Sequence, residues 1–210
     1  SFPEMLHEQE TQIHKILTQG LPGQEPYRHS PWYIVAHSMG ALVALYWMVR
    51  GKSPAFTSDF ARKAFLSAPP LKLQMQVPAW KELASTFLSS ALPDVQIPSG
   101  IEVTALSHDL QNQKDYLADP LVHRTSSPRN YESLKRVADE VNTGAQNIEI
   151  PVCLAVGMDD PIIDLAEVGK FYERMSTHKK LLKFEKRKHE IFNDTGREEV
   201  WGEVLKWIQL

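Results

Sequence analysis

The amino-acid sequence predicts an α/β fold, in which a mostly parallel sheet is flanked by helices and a helical segment is inserted. Short apolar runs typical of buried strands alternate with helical patterns between residues 32 and 70, and again between 148 and 210. This alternation indicates parallel strands, because a crossover helix must join strands that run the same way. Between about Leu71 and Asn147 we find no convincing buried strand, which predicts the insertion.

Length and composition restrict the class of protein. The chain has 210 residues, of which 42% are hydrophobic and 23% charged, as in an ordinary globular domain. The net charge is −3 without a long block of one sign, so we expect no nucleic-acid partner. The single cysteine, Cys153, predicts neither a disulfide framework nor a metal cluster. We therefore expect no metal, no cofactor and a cytoplasmic location, and the oligomeric state stays open.

Hydrophobic periodicity and capping residues predict the elements of the first part. Pro3 to Gly20 has the pattern of an amphipathic helix, and Trp32 to Ala36 that of a short buried strand. Gly40 to Arg50 is apolar on nearly every side, which predicts a buried helix that ends at Gly51. Ala64 to Ala68 predicts a second strand.

The same signals predict the rest of the chain. In the insertion, the helical segments are residues 78–92, 109–118 and 127–144, the last with Ser127 as its N-cap. After the insertion, strands and helices alternate again: a strand at 151–157, a helix at 162–175, a strand at 181–184 and a terminal helix at 198–208. The chain thus divides into a core segment at 1–70, a helical cap at 71–147 and a second core segment at 148–210.

A serine lies at the junction between the first strand and the helix after it. Ser38 directly follows the apolar run, and the small residues Ala36 and Gly40 lie two positions before and after it. This is the spacing of a nucleophile elbow, G-x-S-x-G, with alanine at the first small position. A strand that turns into a helix within one residue strains the serine backbone and favours small flanking residues. The alternative is an ordinary strand–turn–helix that happens to contain a serine.

Three aspartates follow the strand that ends at Gly157. Asp159, Asp160 and Asp164 all qualify by residue type. Asp159 and Asp160 point to opposite sides if the strand geometry persists, and the register from Gly157 favours Asp160. Asp164 fits better as the cap of the following helix.

The histidine of the predicted site follows the last strand. Among the eight histidines, His189 has the best position, while His37 cannot easily aim at the Ser38 hydroxyl and is expected to be buried structure. Ser38, Asp160 and His189 then lie at the carboxyl ends of strands, where open α/β sheets place their sites. A serine hydroxyl needs an imidazole to take its proton, and a carboxylate holds that imidazole in one tautomer. The chain order Ser, Asp, His is that of α/β-hydrolases.

Four segments carry a resemblance to a known family: residues 36–40, 157–163, 189–194 and, in the insertion, 106–109 with 115–123. The chain resembles the α/β-hydrolase branch that contains monoacylglycerol lipases and the related bacterial lysophospholipases. The Tyr-x-x-Asp-Pro-Leu element that begins at Tyr116 is typical of this cap. The resemblance implies a serine esterase that cleaves fatty-acyl esters of glycerol or glycerophospholipids, with a bacterial lysophospholipase as the nearest match.

Several alternatives remain within and outside that family. A monoacylglycerol lipase or another small-ester hydrolase would share the same site, and a non-catalytic binding protein or fragment would share only the fold. The resemblance also implies N-terminal strands and a His-Gly oxyanion loop ahead of the segment equivalent to Ser1, which we expect this chain to lack. Two departures stand out: Ala36 replaces a glycine, and the charged run 185–188 replaces a glycine before the histidine.

Further site residues follow from the elbow and from the cap. The N–H of Met39 is expected to supply one oxyanion donor, since it follows the nucleophile. The side chains of Trp80, Phe87 and Leu88 are expected to line a slot for the acyl chain, or else to form the cap's own small core. A lipid-ester substrate and a peripheral contact with the inner membrane are compatible with this interpretation.

Overall fold

A computed structural model describes residues 2–21, 32–51, 61–74 and 92–209. The strands are Trp32–His37 (β1), Ala61–Ser67 (β2), Ile97–Pro98 (β3), Thr125–Ser126 (β4), Val152–Gly157 (β5) and Lys179–Phe184 (β6). The helices are Phe2–Gln19 (α1), Met39–Arg50 (α2), Leu110–Ala118 (α3), Pro128–Thr143 (α4), Leu165–Arg174 (α5) and Arg197–Gln209 (α6), with 3₁₀ turns at Val103–Ala105 and Ala145–Asn147.

The main sheet is parallel, in the order β1-β2-β5-β6. Strands β3 and β4 form a separate antiparallel pair in the insertion. In the described part of the chain, β1 pairs with β2 alone and forms an edge of the sheet. Tyr33 and Val35 on this edge strand are 37% and 42% exposed. The predicted parallel α/β sheet is confirmed.

The period-two alternation of the central strands divides the apolar core between the two faces of the sheet. Leu154 lies in a cluster with the buried side chains of α1, α2, α4 and α5. Its neighbour Cys153 lies in a second cluster with Phe65 and the apolar face of α6. The indole N–H of Trp207 in α6 donates to the Ala64 carbonyl at 3.0 Å. Both faces are covered, which explains why residues 64–66 of β2 and the whole of β5 are apolar.

The last helix of the predicted cap segment lies on the core. Helix α4 packs against α2 and α1 and buries Val137, Ala138 and Val141. The hydroxyl of Ser127 caps this helix by accepting from the Asn130 N–H, as expected. The limits of the cap at 71 and 147 stay a prediction. The predicted helix at 78–92, with Trp80, Phe87 and Leu88, lies outside the described residues.

No helix in the described part of the chain is both long enough and apolar enough to cross a bilayer.

Candidate active site

Ser38 occupies a strained position between β1 and α2. Its backbone has φ 49° and ψ −121°, a left-handed value that non-glycine residues adopt only at a cost. The Ser38 N–H donates to the Ser67 carbonyl at 2.8 Å, and the Ser38 carbonyl accepts from the Leu42 N–H at 3.1 Å. These bonds fix the turn on both sides, so the hydroxyl lies at the N-terminus of α2 and at the carboxyl end of β1.

The small residues around Ser38 are less restrictive than the sequence pattern predicts. A Cβ added at Gly40 would lie 4.0 Å from the Ala36 Cβ, which is ordinary van der Waals contact. A methyl group therefore fits at residue 40, so the preference for small flanking residues does not demand glycine there.

A chain of hydrogen bonds joins Ser38, His189 and Asp160. The Nε2 atom of His189 lies 2.8 Å from the Ser38 Oγ, and its Nδ1 atom lies 2.8 Å from the Asp160 Oδ2. A carboxylate can only accept, so Nδ1 donates to Asp160 and Nε2 of the neutral ring accepts from the serine hydroxyl. The structure thus brings the three predicted residues together in the geometry of a nucleophile, a base and an orienting acid.

The side chain of Asp160 is fully buried and fully bonded. It is 0% exposed, and its second oxygen, Oδ1, accepts from the N–H groups of Ile162 at 2.8 Å and Ile163 at 3.3 Å. These two bonds hold the carboxylate in one orientation and leave Oδ2 for His189. Helix α5 begins at Leu165, later than the predicted residue 162, and Ile163 instead forms an isolated antiparallel bridge with Leu73.

The other two candidate aspartates lie elsewhere. Asp159 is half exposed, and its Oδ2 lies 3.8 Å from the His108 Nε2. Asp164 caps α5 by accepting from the Glu167 N–H at 3.1 Å, as expected. Of the three, Asp160 is the one that contacts His189.

His37 is a neutral neighbour of His189. Its ring centroid lies 5.0 Å from that of His189, and its Nδ1 lies 3.1 Å from the Ser67 Oγ. Burial is the main cause that lowers the pKa of His37 to about 4, the adjacent His189 lowers it too, and Asp160 opposes the shift. His37 therefore carries no charge at neutral pH and does not compete with His189 for the carboxylate.

This depressed pKa predicts a pH dependence of stability. The unfolded chain binds a proton at His37 below the ordinary histidine pKa of 6.5, and the folded chain does so only below about 4. The contribution of neutral His37 to the free energy of unfolding is therefore fully present above pH 6.5 and is lost as the pH falls through 4. One pKa unit corresponds to about 1.4 kcal/mol. We expect the free energy of unfolding to fall less steeply over this range in His37→Asn than in the wild type, as measured by urea titration. Equal slopes would contradict this assignment.

Gly157 lets the loop that carries His189 approach the loop that carries Asp160. A Cβ at this position would lie 2.2 Å from the Lys188 carbonyl oxygen and 2.3 Å from that of Arg187. The Asp159 N–H donates to the same Arg187 carbonyl at 2.9 Å. Residue 157 must therefore lack a side chain for the two loops to meet, a role that the sequence pattern did not reveal.

We expect Gly157→Ala to displace the His189 loop. The clash is with backbone atoms, which cannot rotate away, and a displacement of about 1 Å at a reacting group can cost roughly 10²-fold in rate. Turnover of a soluble ester should fall by at least that factor. The matched control is Gly202→Ala in α6, where a Cβ would meet nothing within 4 Å; it should retain turnover. Equal turnover in both variants would show that the close approach does not matter.

The first residue of α2 lies next to the nucleophile. Met39 is the first residue of α2, so its N–H has no acceptor within the helix and lies beside Ser38. Its role as an oxyanion donor stays a prediction. In the described ranges, no group of three or more His, Cys, Asp or Glu side chains is placed to hold a metal ion.

Comparison with known proteins gives a consistent set of relatives. A family model described as serine aminopeptidase, S33, matches residues 13–196. The chain is 29% identical over 203 residues to phospholipase YtpA of Bacillus subtilis (strain 168), and the matched segment covers 96% of this chain and 73% of that protein. It is 24% identical over 149 residues to the uncharacterized protein YnbC of Escherichia coli (strain K12), covering 68% of this chain and 23% of that protein.

Solved structures show the same fold. A monoacylglycerol lipase of Paleococcus ferrophilus superimposes with a TM-score of 0.81 at 23% identity, over 99% of this chain and 74% of that one. A soluble variant of the monoglyceride lipase of Saccharomyces cerevisiae gives a TM-score of 0.77 at 20% identity, over 98% and 67%. The family match covers most of the chain, and these likenesses agree on the architecture. The chain therefore belongs to the serine aminopeptidase S33 family and is a serine hydrolase of the α/β-hydrolase fold.

Proposed function

We propose that this protein is a carboxylic ester hydrolase that cleaves fatty-acyl esters through an acyl-enzyme on Ser38. The observation that carries the proposal is the hydrogen-bonded chain from the Ser38 Oγ through His189 to Asp160, with 2.8 Å at both steps. An unpaired serine hydroxyl is a weak nucleophile at neutral pH, and this arrangement supplies the base that it needs.

The proposed reaction has two halves. The His189 Nε2 takes the proton of Ser38 as Oγ attacks the ester carbonyl carbon, and Asp160 stabilises the imidazolium that forms. The N–H of Met39 donates to the oxyanion of the tetrahedral intermediate. The intermediate collapses, the alcohol leaves with the proton from His189, and the acyl group stays on Ser38. Water, activated by His189 in the same way, then releases the fatty acid.

The relatives support a lipid ester as substrate. One curated relative is named a phospholipase, and two structural neighbours are named monoacylglycerol and monoglyceride lipases. Both substrate classes present an acyl ester of a glycerol backbone, so the same nucleophile would serve either. We place lysophospholipids first and monoacylglycerols second, because a relative that matches 96% of this chain is named a phospholipase.

Exposed apolar side chains in the insertion support a peripheral contact with lipid. Between residues 92 and 121, seven large apolar residues are at least 40% exposed: Leu92, Val95, Ile97, Ile101, Leu110, Leu117 and Leu121. Contiguous exposed apolar area marks surfaces that meet protein, ligand or membrane, and we propose that these side chains form such a surface. A cytoplasmic enzyme that takes its substrate from a membrane surface would use such side chains, and we include this contact in the proposal.

A substrate panel tests the proposed function. Lysophospholipids, monoacylglycerols, short soluble esters and aminoacyl amides should be compared with the full-length protein and its Ser38→Ala variant. We expect serine-dependent release of fatty acid from the first two classes and little cleavage of the amides. Preferential hydrolysis of aminoacyl amides would replace the lipid-ester proposal with a peptidase.

A further inference from the structure

Asp194 is a buried carboxylate between the loop that carries His189 and the segment 106–108 of the insertion. Its side chain is 0% exposed. Oδ1 accepts from the Ser107 hydroxyl at 3.1 Å, the His108 N–H at 2.6 Å and the Thr195 N–H at 2.8 Å. Oδ2 accepts from the Lys188 N–H at 2.7 Å and from the His108 Nδ1 at 3.1 Å. Five donors therefore bind this one carboxylate, and they come from both segments that it joins.

One of these hydrogen bonds fixes the backbone before His189, and a separate hydrogen bond fixes the backbone after it. The residue before His189 donates its N–H to Asp194, and the residue after it, Glu190, donates its N–H to the Leu106 carbonyl at 2.8 Å. Two acceptors on separate segments therefore hold the backbone on both sides of the histidine. The imidazole projects from a backbone that cannot rotate without breaking one of these hydrogen bonds.

The charge of Asp194 is maintained in this site. Burial works to raise the pKa of Asp194, but the hydrogen bonds from Lys188, His108 and Thr195 outweigh it and hold the pKa below its ordinary value. A charged acceptor binds N–H groups more strongly than a neutral one. The loop is thus held by charge-assisted bonds at neutral pH.

We infer that Asp194 is a positioning residue: by holding the Lys188 N–H, it sets the backbone from which His189 reaches both Ser38 and Asp160. The expected effect of Asp194 on turnover rests on the proposed function, in which His189 is the base. The placement of the imidazole itself can be measured without a substrate.

Asp194→Asn replaces one of the two carboxylate oxygens by an NH₂ group, so it tests the hydrogen bonds of Oδ2 separately from those of Oδ1. Three donors converge on Oδ1, so the amide oxygen must take that position, and the amide NH₂ then faces the Lys188 N–H. Donor meets donor there, and the backbone before His189 loses its acceptor. We expect kcat on a short soluble ester to fall by about 10–10²-fold, with KM changed less than about twofold.

Ser107→Ala is the matched control, because it removes a donor from Oδ1 and leaves the bond to the Lys188 N–H. It should lower the melting temperature to a similar extent and keep kcat within about twofold of the wild type. Two variants of Lys188, the donor in this hydrogen bond, make the same comparison. Lys188→Pro deletes the N–H and should reproduce the loss of kcat, whereas Lys188→Ala keeps the N–H and should not.

Proton NMR provides the readout that does not depend on activity. The His189 Nδ1–H that donates to Asp160 should give a downfield resonance in the wild type and in Ser107→Ala. We expect Asp194→Asn and Lys188→Pro to shift or lose this resonance. If the resonance and kcat are unchanged in Asp194→Asn, or if Ser107→Ala loses both equally, Asp194 is not a positioning residue. If no variant or wild type hydrolyses any ester, the proposed function fails, and the NMR comparison still decides this inference.

Discussion

Ser38→Ala is expected to abolish ester hydrolysis and leave the fold intact. Only the hydroxyl is lost, and alanine has the same Cβ at the strained backbone of residue 38, so the turn between β1 and α2 should form as before. Removing the nucleophile of a serine hydrolase lowers turnover on the order of 10⁶-fold. Turnover should be measured on a short soluble ester and on a lysophospholipid, alongside the melting temperature.

The control for this prediction is Ser133→Ala. Ser133 is a buried serine of α4, and its variant should lose stability at most and keep its turnover. Residual hydrolysis in Ser38→Ala close to the wild-type rate would mean that another group attacks the ester, and the account of the site would fail.

Asp160→Asn is expected to give the second largest loss. The amide would present its NH₂ or its oxygen to the His189 Nδ1, and the buried Ile162 and Ile163 N–H groups require the oxygen at the other position. The NH₂ therefore faces Nδ1, which favours the tautomer with its proton on Nε2, where it cannot accept from Ser38. Loss of this carboxylate in a serine triad costs about 10⁴-fold in turnover. The expected result is a loss of that size in kcat.

Asp159→Asn is the matched comparison, since it changes the adjacent carboxylate without touching His189. Asp159 is half exposed, and we expect its variant to stay within about tenfold of the wild type. A large loss in Asp159→Asn together with a mild one in Asp160→Asn would reverse the assignment of the acid.

The sequence predicts the central elements because two signals agree there: the apolar character of the strands and the change from an extended to a helical pattern. Residues 64–66 of β2 and the whole of β5 are apolar on two faces, and the abrupt change at Ser38 from an extended to a helical pattern marks the elbow. The choice of Asp160 over Asp159 agrees with the contact to His189, but strand alternation is not its physical reason. Strand β5 ends at Gly157, and a turn in which the Asp160 N–H donates to the Gly157 carbonyl at 3.3 Å places the carboxylate.

The predicted starts of β2 and β6 are too late, because charged residues lie in the first half of each strand. β2 begins at Ala61 and β6 at Lys179, although the apolar patterns begin only at 64 and 181. The Lys179 ammonium donates to three carbonyls at the end of α5, at 2.7, 3.0 and 2.9 Å, and Lys63 donates to the Trp207 carbonyl at 3.0 Å. A hydropathy scale counts these lysines as polar and so predicts no strand. In the structure their ammonium groups donate to carbonyls at helix C-termini, while their aliphatic chains lie along the core.

Two other features depend on tertiary contact and left no local signal. The absence of a side chain at Gly157 matters only because loop 187–188 approaches it, and the carboxylate of Asp194 matters only because segment 106–108 meets it. Both contacts join parts of the chain that are far apart in sequence. Sequence patterns place each residue on its own element, and the distances between elements come from the fold.

The most direct test of the central claim is to trap the nucleophile. The full-length protein should be treated with a fluorophosphonate, digested and mapped by mass spectrometry. We predict one phosphonylated residue, Ser38, with labelling lost in Ser38→Ala and slowed in Asp160→Asn. Modification at another residue, or no modification of Ser38 in the folded protein, would contradict the account.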